Sequence, residues 1–106
     1  MKEITVQELK SKKEAGDNFL LLDVREGFEY MVSNLDGQHI PLGQLDVRLD
    51  EIKNYKDQEV VVMCRSGGRS GKACQLLESQ GFENVNNLKG GITAWSKEVD
   101  TSMPVA

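Results

Sequence analysis

Histidine and cysteine are scarce in this chain, with one His and two Cys among 106 residues. That is too few for a four-ligand structural zinc site, and a reducing compartment disfavours a disulfide between Cys64 and Cys74, so no metal centre is expected. Positive charge is in deficit, 13 Lys plus Arg against 17 Asp plus Glu for a net charge of −4, and the longest basic run is Lys12-Lys13. Gripping a phosphate backbone needs clustered cations, which excludes nucleic acid as an expected partner. Long hydrophobic runs are missing as well: Phe19 to Leu22 and Val60 to Cys64 fall far short of the roughly 20 residues that span a membrane. Met1 to Glu8 has no apolar segment behind its Lys, so it does not read as a secretory signal and the chain is expected in the cytoplasm. The length suits one compact domain over residues 1–106, without repeats or linkers.

What is present alternates between strand and helix signals. Thr5 with Glu8 forms a capping-box pattern opening a helix that Gly16 can stop, and Ile4 precedes it as a short edge strand. Phe19 to Val24 is apolar without a helical period and reads as a strand covered on both faces. Glu26 to Val32 reads as a short helix, and 34–43 as loop with one strand residue at Ile40. Leu45, Leu49 and Ile52 fall on one helical face, predicting an amphipathic helix to about Lys53. Val60 to Met63 is a second covered strand, ending at Cys64. Ser70 to Gln80 predicts a helix stopped by Gly81, Val85 and Leu88 mark another strand, Ile92 opens a last helix, and a short disordered tail is expected from about residue 100. The fold class is therefore α/β, a single domain with a central, mostly parallel sheet flanked by helices.

Chemistry concentrates where the second covered strand runs into Cys64-Arg65-Ser66-Gly67-Gly68-Arg69-Ser70. Open α/β sheets place ligands at the carboxyl ends of strands. Gly67 and Gly68 permit the positive φ angles that curl a backbone into a nest of inward N–H groups, and the next helix adds its own unpaired amides. Such a turn holds an anion, and a thiolate at its mouth beside Arg65 and Arg69 is stabilised as a nucleophile. The plain alternative for Cys64 is a small core residue ending a strand, and that reading is preferred for Cys74, on the apolar face with Ala73 and Leu77. Arg65 and Arg69 are read as partners for an anionic substrate rather than as solvated loop charges.

Three stretches together resemble the single-domain rhodaneses, sulfurtransferases of the rhodanese homology family. They are Leu21-Leu22-Asp23-Val24-Arg25-Glu26-Gly27-Phe28-Glu29-Tyr30, the Cys64 to Ser70 loop, and Gly81 to Trp95 with its Gly90-Gly91-Ile92-Thr93-Ala94-Trp95 close. The resemblance implies a rhodanese-like fold without a cofactor. It also implies ping-pong chemistry, in which Cys64 takes the outer sulfur of a small anionic donor such as thiosulfate and passes it from a persulfide to cyanide, a thiol or a protein thiol. The amides of Arg65 to Ser70 would cradle the persulfide, Arg65 and Arg69 would recruit the donor, and Asp23 and Arg25 would support the loop. The site is expected to be shallow, leaving the persulfide accessible.

The chain departs from the pattern at Asn34, which stands where many relatives carry His. His39 is read as a loop or packing residue. Glu29 occupies a position where two-domain relatives place an Arg that helps bind thiosulfate. A phosphatase or arsenate reductase of related fold would carry its clasping Arg at the sixth position after the Cys, and here that position is Ser70, with Arg69 at the fifth. A rhodanese-fold adaptor or sulfur-relay carrier is the other competing reading.

Overall fold

The computed structural model describes all 106 residues. Five strands form one sheet: β1 (Lys2–Ile4), β2 (Leu20–Asp23), β3 (Gln38–His39), β4 (Glu59–Met63) and β5 (Asn84–Leu88). Their order is β1-β5-β4-β2-β3, and every pair is parallel. The covered strands fall where the apolar runs predict them, with β4 at the centre. Successive side chains of a strand point to opposite faces. Val60, Val62 and Cys64 accordingly enter one core with Leu22, Leu45, Ile52, Cys74 and Leu77. Val61 and Met63 enter a second core with Leu9, Leu88, Ile92 and Trp95.

There are four α-helices, α1 (Val6–Ala15), α2 (Gly27–Val32), α3 (Gly68–Ser79) and α4 (Gly91–Glu98); α3 packs on the first core and α1 and α4 on the second. Helix α1 carries the expected capping box, Glu8 N–H to Thr5 Oγ1 at 3.1 Å and Thr5 N–H to Glu8 Oε1 at 3.0 Å, and Gly16 closes it at φ +68°. Helix α3 begins two residues before the expected Ser70.

Three expectations are corrected. The amphipathic helix predicted from Leu45 is a chain of three 3-10 turns, Leu42–Val47, Leu49–Glu51 and Lys53–Tyr55. Arg48 and Ile52, at φ −119° and −125° with ψ near zero, break it at the joints. Leu42 with Leu45, and Leu49 with Ile52 and Tyr55, recur at the three-residue spacing that such turns align, and all five pack on the first core. The strand expected at Ile40 lies one step earlier, at Gln38–His39, with Ile40 buried just beyond it. The tail is packed: Met103 and Val105 rest against the second core, Ser96 Oγ donates to Met103 O at 2.7 Å, and Ser33 Oγ donates to Pro104 O. Single apolar residues separated by polar ones and a Pro carry no period that would announce such docking.

Candidate active site

Strand β4 delivers Cys64 to the carboxyl end of the sheet, where the chain turns through Arg65, Ser66 and Gly67 into α3. The turn closes on the sulfur. Gly67 N–H donates to Cys64 Sγ at 3.0 Å, and Ser70 Oγ lies 3.2 Å from Sγ on the other side. Gly67 stands at φ +115°, a conformation that suits a residue without Cβ. Gly68 does not use the freedom expected of it: it is the first residue of α3 and takes no positive φ.

Behind the turn, α4 holds the loop from its far end. Ile92 N–H donates to Cys64 O and Thr93 N–H to Arg65 O, each at 3.0 Å. Gly91 makes that approach possible, since a Cβ there would lie 2.3 Å from Cys64 O and 2.6 Å from Arg65 O. Gly91 of the C-terminal pair is thus a packing requirement of the cysteine loop, whereas a Cβ at Gly90 would meet Ala94 Cβ at 2.6 Å.

Burial pushes the Cys64 thiol up, but the Ser70 hydroxyl and the amides of Ser70, Gly67 and Ser66 outweigh it and leave Cys64 below an ordinary thiol. Cys64 is 1% exposed, beneath exposed Arg65, Ser66 and Gly68. The resting sulfur is therefore covered, where a shallow site was expected. Cys74 is fully buried in the first core, and burial, with repulsion from Glu78 second, drives its thiol up to about 12.

The two arginines part ways. Arg65 is exposed, makes no ion pair, and remains available to an anion. Arg69 is occupied: its Nη1 and Nη2 donate to Glu29 Oε1 and Oε2 at 2.6 and 2.8 Å. The Arg69 guanidinium in turn holds the Glu29 carboxyl down at about 2. Glu29 also accepts the N–H of Glu26 at 2.9 Å, at the start of α2.

Asp23 and Arg25 position that helix. Both are fully buried. Arg25 grips Asp23 through Nε (3.0 Å to Oδ1) and Nη2 (2.8 Å to Oδ2). Its remaining donors reach Glu29 O at 3.3 Å and Ser33 O at 2.8 Å, which ties the end of β2 to the middle and the C-terminal end of α2. Asp23 and Arg25 therefore lie beneath the helix that presents Glu29 to Arg69. His39 packs as expected, stacked on Tyr30 with ring centroids 4.8 Å apart and with Nε2 2.6 Å from Arg25 O.

The partner of Glu29 and the role of Asn87 escape the sequence reading. Glu29 is separated from Arg69 by forty residues of chain, and nothing local links them. Asn87, 3% exposed on β5, accepts from Ser70 Oγ at 2.5 Å and donates Nδ2–H to Gly67 O at 3.1 Å. A polar Asn86-Asn87 pair inside a strand was the available signal, because Asn is depleted there. A groove of about 330 Å³ lined by Thr5, Gln7, Lys89 and Glu98 among others contains none of the loop residues. No cluster of three His, Cys, Asp or Glu side chains suited to a metal is present, and no helix is long and apolar enough to cross a membrane.

Comparison with known proteins places this geometry among relatives. The rhodanese-like domain family matches residues 5–98. The putative sulfurtransferase YtwF of Bacillus subtilis is 39% identical over 99 residues, covering 92% of this chain and 93% of the relative. A longer relative, adenylyltransferase and sulfurtransferase MOCS3-2 of Zea mays, is 36% identical over 96% of this chain, which spans only 22% of that protein's length. The crystal structure of SSP1007 from Staphylococcus saprophyticus superposes with a TM-score of 0.80 at 31% identity, covering 93% of this chain and 97% of that one.

Proposed function

The chain belongs to the rhodanese-like domain family, and from that premise we propose that it is a sulfurtransferase that carries sulfur on Cys64. The observation that carries the reading is the ring around Sγ, with Gly67 N–H at 3.0 Å, Ser70 Oγ at 3.2 Å and a thiol held below its ordinary value. In the first step the Cys64 thiolate attacks the outer sulfur of a donor such as thiosulfate. The new S–S bond forms as the sulfur–sulfur bond of the donor breaks, sulfite leaves with the electron pair, and a persulfide anion remains. In the second, cyanide, a small thiol or a protein thiol attacks the terminal sulfur and returns the Cys64 thiolate. No oxidant or cofactor enters either step, and two free thiols suit a reducing compartment such as the cytoplasm.

The terminal persulfide sulfur stands about 2 Å beyond Sγ. Amides aimed at the sulfur stabilise the anion there. Arg65 is the cation free to draw in an anionic donor, while Arg69, bound by Glu29, braces the loop. That pairing also weighs against a phosphatase, whose Arg must be free to clasp the oxyanion. The test is thiocyanate formation from thiosulfate and cyanide, repeated with mercaptopyruvate and a small-molecule persulfide as donors. Turnover with at least one donor, abolished in a folded Cys64→Ser protein, is expected. Equal turnover by Cys64→Ser would remove Cys64 from the mechanism.

A further inference from the structure

The Ser70 hydroxyl has two neighbours and one proton. Cys64 Sγ lies 3.2 Å from Oγ and Asn87 Oδ1 lies 2.5 Å from it, with all three residues buried. The Asn87 amide is not free to turn over. Its other end faces Gly67 O at 3.1 Å, an oxygen that can only accept, so Nδ2 must lie there and Oδ1 must face Ser70. Ser70 therefore gives its proton to Asn87 and shows a lone pair to the sulfur. That arrangement fits a neutral thiol, which donates S–H to Oγ. A thiolate needs the opposite, and Ser70 can supply it only by leaving Asn87 Oδ1 buried without a donor, a state that carries a desolvation penalty.

We propose that Asn87 is a positioning residue that sets the thiol–thiolate balance of Cys64 by competing with the sulfur for the single proton of Ser70. The resting loop is then less ionised than its amides and the Ser70 hydroxyl would make it without Asn87. The other charged or titratable groups around Cys64 come from every neighbouring element. Its own loop supplies Arg65, α3 supplies Arg69 and the buried Cys74, α2 supplies Glu29, already engaged with Arg69, and α4 meets the loop through Ile92 and Thr93, which carry no charge. The end of β2, paired with β4 at Asp23 and Met63, supplies the closed Asp23–Arg25 pair. On β5, Asn87 itself is uncharged. None of these groups reaches the Ser70 hydroxyl, so the effect of Asn87 should pass through Ser70 alone.

The proposal takes from the functional reading only the choice of thiol to follow, and its readout requires no sulfur transfer. The experiment is the pH titration of thiolate absorbance near 240 nm in the reduced protein, with the Cys64→Ser trace subtracted. Asn87→Leu, which keeps the volume, and Asn87→Ala both delete the competing acceptor. Each is expected to lower the Cys64 midpoint by about 0.5 to 1 pH unit, the size of one net hydrogen bond, and to leave it unmoved in a Ser70→Ala background. A merely structural role predicts the other sign, because losing the bond to Gly67 O would loosen the Gly67 amide from the sulfur and raise the midpoint. An unchanged or raised midpoint, or a fall that persists without Ser70, would overturn the proposal. If one Asn87 variant fails to fold, the other decides. A loss of sulfur transfer with these shifts intact would count against the functional reading and not against Asn87.

Discussion

Replacing Glu29 by Gln should weaken the fold at neutral pH and at the same time free a cation beside Cys64. The Glu29 side chain is 7% exposed and its partner Arg69 is 35% exposed, so the pair is screened from one side only. The drop from 4.5 to about 2 corresponds to an upper figure of about 3 kcal/mol. Screening at the exposed guanidinium brings the expected loss to about 1–2 kcal/mol, or a fall in Tm of roughly 4–15 °C for a domain of this size. The sign with pH follows from the direction of the shift. A carboxylate whose folded value is depressed contributes its full stability above 4.5 and loses it as pH falls from there toward 2. More than half of the difference between native and variant should be gone by about pH 3. Urea melts of both proteins at pH 7, 5, 4 and 3 provide the assay. With Arg69 released, the variant should also show a lower KM for thiosulfate, an anion. A stability difference that stays constant across this range, or is absent at pH 7, would refute the reasoning.

Arg25→Met should be among the most damaging substitutions, because it strands the buried Asp23 carboxylate; a loss of about 3–5 kcal/mol is expected in chemical denaturation. Gly91→Ala puts a methyl 2.3 Å from Cys64 O and should lower Tm sharply, whereas Gly27→Ala, whose Cβ meets nothing within 4 Å, should not. Arg65→Ala should leave the melting temperature within about 4 °C, as exposed substitutions usually do. It should lower kcat/KM several-fold for a dianionic donor and less for a singly charged one, measured with thiosulfate against a small-molecule persulfide.

The parts of the site that lie in one stretch of chain were legible. Strand β4, the turn after it and α3 are contiguous, so the apolar run, Cys64 and Gly67 announce themselves together. Asp23 and Arg25 could be named as supports through their resemblance to a family pattern, while their burial and the carbonyls of Glu29 and Ser33 emerge only from the fold. Contacts between distant segments left no trace of which residues pair: Glu29 with Arg69, Gly91 with the Cys64 carbonyl, Asn87 with Ser70, although the Asn86-Asn87 pair marked an unusually polar strand. The 3-10 stretch was misread because Leu45, Leu49 and Ile52 fit a helical face, while the three-residue spacing through Leu42 and Tyr55 carried the competing signal. A shallow, loop-built site was expected, but the resting Cys64 also closes the first core, and that second role buries it.

The central claim is that Cys64 carries the transferred sulfur, and intact mass after incubation with a sulfur donor tests it most directly. The native chain should gain the mass of one sulfur, about 32 Da, by formation of a Cys64 persulfide. Cyanide should remove that gain with release of thiocyanate, and Cys64→Ser should show none. A sulfur adduct of equal occupancy on Cys64→Ser, or no adduct on the native chain from thiosulfate, mercaptopyruvate or a persulfide, would contradict the account.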